Sequence, residues 1–265
     1  MALVALLGIL EQSPGADEAD ALLDKARASL GGVSRLKAVK SLSATGTLER
    51  KIGNRSKANV ELYFQFPDRF SSKEKTKAFG GRDAAIWTVL NRNDAWMEVD
   101  PRPPGIELMG ARSAFSEGAE PVALRRAKVE FGRLALALLL ASPAALDAEF
   151  SRGAEIEVGG RPAVIVNVSG AYGFEVSLYL ARDSGQPLKL DYLGRVPAGP
   201  FAGGEEDSGV EVIIQEQFAD YRLVSGIQIP HRITRLANQR VFEELKLKAV
   251  VIDPVLDPKV FARRN

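Results

Sequence analysis

The residues of this chain that could do chemistry are few and poorly spaced for catalysis. His231 is the single histidine, and it shares a strand face with Ile227, Ile229 and Ile233 in the run Ile227 to Leu236. A lone imidazole with no acidic partner in a motif gives no ground for a metal ligand or an oriented base. It reads as a packed, hydrogen-bonded core histidine. Glu205-Glu206-Asp207 offers carboxylates to calcium, but it lacks the alternating spacing and the distal bidentate Glu of a calcium loop. It reads as a solvated loop tip. Ser142 and Ser169 have no G-x-S-x-G context, so serine hydrolysis has no support. The glycines of Phe201-Ala202-Gly203-Gly204 are followed by no Lys-Ser or Lys-Thr pair, so they make no phosphate loop.

Composition narrows the chemistry further. The 265 residues include no cysteine, which removes disulfides, thiolate metal sites, thiol nucleophiles and acylation of an N-terminal cysteine. Lys and Arg number 35 against 34 Asp and Glu, a balance that argues against a nucleic-acid partner. No nucleophile, base and orienting group assemble from these motifs, so the chain is expected not to be an enzyme and to need no cofactor.

Two binding features remain. Arg125, Arg126 and Lys128 place three cations on one helix turn, where anionic lipid head groups would contribute about 1 kcal/mol per cation. The plainer reading is a solvated helix face. The second feature is a set of apolar strand faces. Val60, Leu62, Phe64 and Phe66 form one, and Phe174, Val176, Leu178 and Leu180 another. Val212, Ile214 and Phe218 pair with Ile227 and Ile229 as a third. Most of these residues belong to plain core. A subset, drawn from Leu62, Phe64, Phe66, Val176, Leu178, Leu180, Ile214, Ile229 and Leu138, is expected to line a cavity for an acyl chain. Each buried CH₂ contributes about 0.8 kcal/mol there.

The elements that must position these faces alternate along the chain. Asp17 to Leu30 is an amphipathic helix with acids early and bases later, stopped by Gly31-Gly32. Val39 to Arg50, Ala58 to Phe66 and the polar, edge-like Arg69 to Thr76 follow as strands. Gly53-Asn54 makes the first turn, and Pro67-Asp68 makes a break. Ala84 to Leu90 and Asp94 to Val99 form a hairpin, and Asp100 to Gly110 is a proline-broken loop. Pro121 to Ser142 is the longest helical stretch, apolar on all sides from Leu134 to Ala141, which marks it as buried. Glu149 to Val158, Ala163 to Ser169, Phe174 to Arg182 and Pro187 to Val196 are strands. The loop Pro197 to Gly209 precedes Val210 to Tyr221, Ile227 to Leu236 and Val241 to Ile252, and a short helix covers Asp257 to Arg264. About ten strands with tight turns predict an antiparallel meander in a single α+β domain, residues 17–265. So many strands must curl, with a helix against the concave face.

Met1 to Leu10 is apolar and uncharged, and small residues follow. It is too short to span a bilayer and fits the apolar core of an export signal, so residues 1–16 are expected to be a signal-peptide remnant.

Several motifs give the chain a family resemblance. Leu30-Gly31-Gly32 is followed by V-K-S-L-x-x-x-G over Val39 to Gly46 and by F-P-D-R-F over Phe66 to Phe70. D-Y-R-x-V-x-G-I-x-I-P-H-R-I-T runs from Asp220 to Thr234, E-E-L from Glu243 to Leu245, and D-P-x-x-F from Asp257 to Phe261. The chain resembles the outer-membrane lipoprotein-sorting (LolA/LolB-like) superfamily of bacterial periplasmic proteins. The resemblance implies an incomplete antiparallel β-barrel closed by helices, with a cavity for lipid or lipoprotein acyl chains. It implies a monomeric, exported periplasmic protein whose partner is a lipid or an acylated protein, with transient contact at the outer- or inner-membrane surface. The alternative is a protein–protein interaction module whose curled sheet is filled by its own helix.

Overall fold

A computed structural model describes residues 14–51, 56–77, 83–100, 119–141, 146–196 and 210–263. Twelve strands form one antiparallel sheet: β1 Ser41–Arg50, β2 Ser56–Gln65, β3 Arg69–Lys77, β4 Asp83–Asn91, β5 Asp94–Asp100, β6 Glu149–Val158, β7 Arg161–Gly170, β8 Phe174–Ala181, β9 Pro187–Val196, β10 Val210–Val224, β11 Ile227–Ala237 and β12 Arg240–Ile252. Their spatial order is β5-β4-β3-β2-β1-β12-β11-β10-β9-β8-β7-β6. The chain therefore runs outward from β1 to β5, crosses over, and returns from β6 until β12 pairs with β1. The sheet stays open between β5 and β6.

Three helices complete the described chain: α1 Pro14–Leu30, α2 Val33–Ala38 and α3 Ala119–Leu139. Helix α3 lies in the crossover. It packs against β4 and β5 near one edge and also against β9 and β11. Six strands separate β4 from β9, so the sheet must curl around the helix to bring both into reach. Helix α1 lies along β6 and also touches α2 and β11. The inward faces of the strands, α1 and the second half of α3 share one hydrophobic core. From Leu134 to Leu140 every residue is at most 3% exposed, as a helix apolar on all sides requires.

Turn chemistry sets the register. Ser225-Gly226 and Asn238-Gln239 both have positive φ at their two central positions, the backbone hand that suits a two-residue hairpin. In β1 the register slips between Thr45 and Gly46, where a Cβ on Gly46 would lie 2.2 Å from the carbonyl oxygen of Lys246. Glycine there lets β12 close on β1 and join the two halves of the sheet.

Several expectations need correction. The sheet has twelve strands, one for each run read from alternation, so the total of about ten is an undercount. Helix α2 lies in a stretch with no predicted element; its six residues are too few to show a periodic face. Arg69 to Thr76 is not an edge. It is β3, inside the sheet between β2 and β4. Its polarity has another source: Ser72 and Glu74 face a cleft. Helix α3 ends at Leu139, before the expected Ser142, and Leu140 follows at φ +48°. The C-terminal element is a single 3₁₀ turn, Pro258–Phe261, capped by the Asp257 carboxylate accepting from the Lys259 amide at 2.9 Å. The Gly53-Asn54 turn, most of the 100–110 loop, the 197–209 loop with Glu205-Glu206-Asp207, and Ser142 lie outside the described residues, as does Met1 to Leu10.

Candidate functional site

Strand alternation puts charged side chains in the core-facing row of four neighbouring strands. On β1 the inward series Leu42, Ala44, Gly46 and Leu48 ends in Arg50. On β12 Glu243 precedes Leu245 and Leu247. On β11 Arg235 follows Ile229, His231 and Ile233, and on β10 Glu216 sits between Ile214 and Phe218. The registers align them. Arg50 pairs with Glu243, Glu243 with Arg235, and Arg235 with Glu216, which gives a lateral ladder of alternating sign. Opposite charges directly across antiparallel strands attract one another.

The contacts are close. Arg50 donates from Nη1 and Nη2 to the two oxygens of Glu74 on β3, at 2.8 and 3.0 Å, and its Nε lies 3.1 Å from Glu243. Arg235 reaches three carboxylates: Nε to Glu216 at 2.7 Å, Nη1 to Glu243 at 2.8 Å and Nη2 to Glu130 of α3 at 2.8 Å. One guanidinium thereby ties three elements together. Glu130 also accepts from Arg133 one helical turn along, whose guanidinium lies 4.1 Å over the ring of Tyr192. Tyr192 donates to Glu216 at 3.2 Å. The other Glu216 oxygen, Oε2, is buried and has no hydrogen-bond partner among the described residues.

These contacts tune the groups. Burial works against ionisation of Glu130, but Arg235 and Arg133 outweigh it and hold its carboxyl well below the usual carboxylate range. Burial, reinforced by the Glu216 carboxylate, raises the Tyr192 phenol above its ordinary value, so it stays a neutral donor.

Beside this network, under α3, lies a cleft of about 220 Å³. Its apolar wall is formed by Leu48, Val60, Leu62, Phe70, Leu134 and Ile233. Ser72 and Thr88 line it as well, and Arg50, Glu74, Glu130, Arg235 and Glu243 form its charged part. The charged part lies toward the sheet end where β1 stops at Arg50 and the β11–β12 turn sits. The cleft is thus amphiphilic: hydrocarbon on one side, ionised groups on the other.

The nine apolar residues proposed from sequence all fall in or against the same core. Leu62 lines the cleft. Phe64 and Phe66 stand one layer behind it, in an aromatic group with Phe70 and Phe131 whose ring centroids are 5.0 to 6.2 Å apart. Leu138, Val176, Leu178, Leu180, Ile214 and Ile229 pack in the core away from the cleft lining.

His231 is buried, and its Nδ1 donates to the carbonyl of Ile229 at 2.9 Å. This is the satisfied core histidine expected of a lone imidazole. The basic helix turn requires a correction. Arg125 and Arg126 are exposed, but Lys128 is 2% exposed. Its Nζ donates to Asn93 at 3.0 Å and to the Tyr172 hydroxyl at 2.8 Å. The hairpin β4–β5 and the Ala171–Gly173 turn fold over that lysine, so it contributes no cation to a surface.

The sequence reading did not find the ladder. Its signal was present as parity: Arg50, Glu216, Arg235 and Glu243 each occupy a position in phase with apolar neighbours. A charge in phase with a buried face needs a partner.

Among the described residues no group of three or more His, Asp and Glu is arranged to hold a metal ion, and no helix is long and apolar enough to cross a membrane. No protein-family model matches the sequence, and no curated protein matches it. Solved structures match its fold. A LolA superfamily protein from Nitrosomonas europaea aligns with a TM-score of 0.53 at 12% identity, over 92% of this chain and 97% of that one. A DUF1329 family protein from Desulfovibrio piger aligns with a TM-score of 0.54 at 12% identity, over 92% and 97%. A domain described as an outer membrane lipoprotein-sorting protein, from Vibrio parahaemolyticus, aligns with a TM-score of 0.51 at 12% identity, over 93% and 97%. The chain carries the fold of the LolA superfamily, here an antiparallel sheet curled around a helix and left open between its edge strands β5 and β6.

Proposed function

We propose that this protein is a non-catalytic periplasmic carrier or sensor whose cleft holds a hydrophobic ligand, a lipid or the acyl chain of an acylated protein. The observation that carries this reading is the amphiphilic cleft, with an apolar wall and a charged side. A dry cavity of about 150 Å³ lined by Leu, Ile and Phe accommodates benzene. A cleft of about 220 Å³ therefore has room for a short stretch of hydrocarbon. At about 0.8 kcal/mol per buried CH₂, such a stretch supplies micromolar-class binding only with help from a polar head. The fold is shared with a domain named for outer membrane lipoprotein sorting. The charge ladder adds support. Buried ion pairs contribute little net stability compared with apolar packing, so a row of them beside a cavity suits recognition better than scaffolding. The arginines and glutamates there engage one another and are not set up as nucleophile and base. In this reading residues 1–16 serve export.

A second reading is favoured by one observation. Leu134 to Leu140 are buried in the core that the strands share, which suits an interaction module with a packed core. Native mass spectrometry of protein purified from its own cells, with extraction and identification of bound lipid, separates the two. The carrier reading expects a mass adduct matching a lipid in the organic extract. Folded protein that shows only its own mass, with an empty extract, overturns it.

A further inference from the structure

Resting on the carrier reading, we infer that the cleft selects amphiphiles with a cationic amine head over those with an anionic head. Five described ionised groups line it. Arg50 and Arg235 are positive, and Glu74, Glu130 and Glu243 are negative, which leaves one negative charge in excess. The next groups outward, Arg133 on Glu130 and Glu216 on Arg235, cancel each other and leave that excess in place.

The hydrogen bonds point the same way. Arg50 spends three N–H groups on Glu74 and Glu243, and Arg235 spends three on Glu216, Glu243 and Glu130. Each guanidinium keeps two further N–H groups, but an anionic head that reaches them joins carboxylates already held by the same guanidinium, and like charges crowded into a low-dielectric site repel. An ammonium instead adds positive charge where carboxylates outnumber arginines three to two. Each carboxylate has about four lone-pair positions, so these glutamates can accept further donors while keeping their arginines. Ser72 and Thr88 add neutral acceptors along the same wall. The least buried members, Arg50 at 38% and Glu130 at 28%, mark the solvent side of the charged group. There the head sits, with the hydrocarbon laid over Leu48, Val60, Leu62, Phe70 and Leu134. The attraction is charge on charge in a partly dry cleft, so it discriminates between heads that share one tail.

Chain-matched ligands test this. Octylammonium, octanol and octanoate are titrated calorimetrically into the full chain at neutral pH. Octylammonium is expected to bind at least about tenfold tighter than octanoate, with octanol between them. Glu74→Gln removes the excess charge and should shrink that ratio to below about threefold. Should Glu74→Gln fail to fold, Arg50→Gln raises the excess to two negative charges and must widen the ratio. Octanoate binding as tightly as octylammonium, or all three binding alike, overturns the head-group inference and leaves the carrier reading standing. If none of the three binds to folded protein, both are overturned.

Discussion

Arg235 of β11 stands directly opposite Glu216 of β10 in the ladder, and its Nε donates to that buried carboxylate at 2.7 Å. Glu216 is 0% exposed. Its charge is tolerable in the core because Arg235 is there. Arg235 in turn reaches Glu243 on the next strand and Glu130 on α3, so one side chain neutralises sheet and helix together.

The first prediction follows from that geometry. Arg235→Met leaves three carboxylates without their common partner, and removing one side of a buried pair costs about 3–5 kcal/mol. Arg235→Lys should recover only part of this, because a compact ammonium cannot reach three carboxylates from one plane. Urea unfolding of the three proteins measures it. A loss below about 1 kcal/mol for Arg235→Met would show that the ladder is not coupled to folding.

Acid should loosen the fold through Glu130. Its carboxyl is held well below the ordinary value of 4.5, because Arg235 and Arg133 outweigh burial. A group whose folded value is depressed contributes stability that is present above its unfolded value and lost as pH falls toward its folded value. The urea midpoint should therefore fall between about pH 5 and pH 3, and Glu130→Gln should show a smaller fall over that window. Equal slopes for the two proteins would refute the assignment.

Helix α3 is expected to resist a side chain at Gly132. A Cβ there would lie 2.3 Å from Leu146 Cδ1 and 2.9 Å from Phe174 Cε2, both in buried residues. Alanine gains about 1 kcal/mol of helix propensity, whereas overpacking a closed core costs about 1–3 kcal/mol. Gly132→Ala should thus be destabilising or neutral, and Gly132→Val clearly worse. A stabilised alanine variant, measured by thermal unfolding, would mean that Leu146 moves aside freely.

How much of this was legible in the sequence differs by residue. Alternation placed Leu62, Phe64, Leu178 and Ile229 on inward faces, because period-2 patterns report burial directly. Apolar character on all sides marked the helical stretch Leu134 to Ala141 as buried. The family-like motifs proved to be structural. Asp257 caps a turn, Phe261 is 2% exposed, and Tyr221 donates to the carbonyl of Pro187 at 2.8 Å. The cleft was not legible. Whether Leu62 faces a void while Phe64 faces Phe70 depends on how far the sheet curls, which no local pattern encodes. Lys128 was missed for a related reason: its partners Asn93 and Tyr172 lie 35 and 44 residues away. The ladder required the registers of four strands, although the in-phase charges at Arg235 and Glu243 signalled it.

The export proposal has its own test. N-terminal sequencing of protein recovered from the periplasmic fraction of its own cells should begin close to Ala16. Protein that begins at Met1 and fractionates with the cytosol would overturn both export and the periplasmic role.

The central claim is that the cleft under α3 takes up hydrocarbon, and blocking the cleft tests it most directly. Ser72 is a small residue on its wall, so Ser72→Phe fills the space without burying a charge or removing a contact of the ladder. A fluorescent alkyl probe titrated into the wild-type chain should bind saturably at one site. Ser72→Phe, with an unchanged unfolding midpoint, should lose at least about tenfold in affinity. Saturable binding of equal strength in both proteins, or none in folded wild type, would contradict the claim.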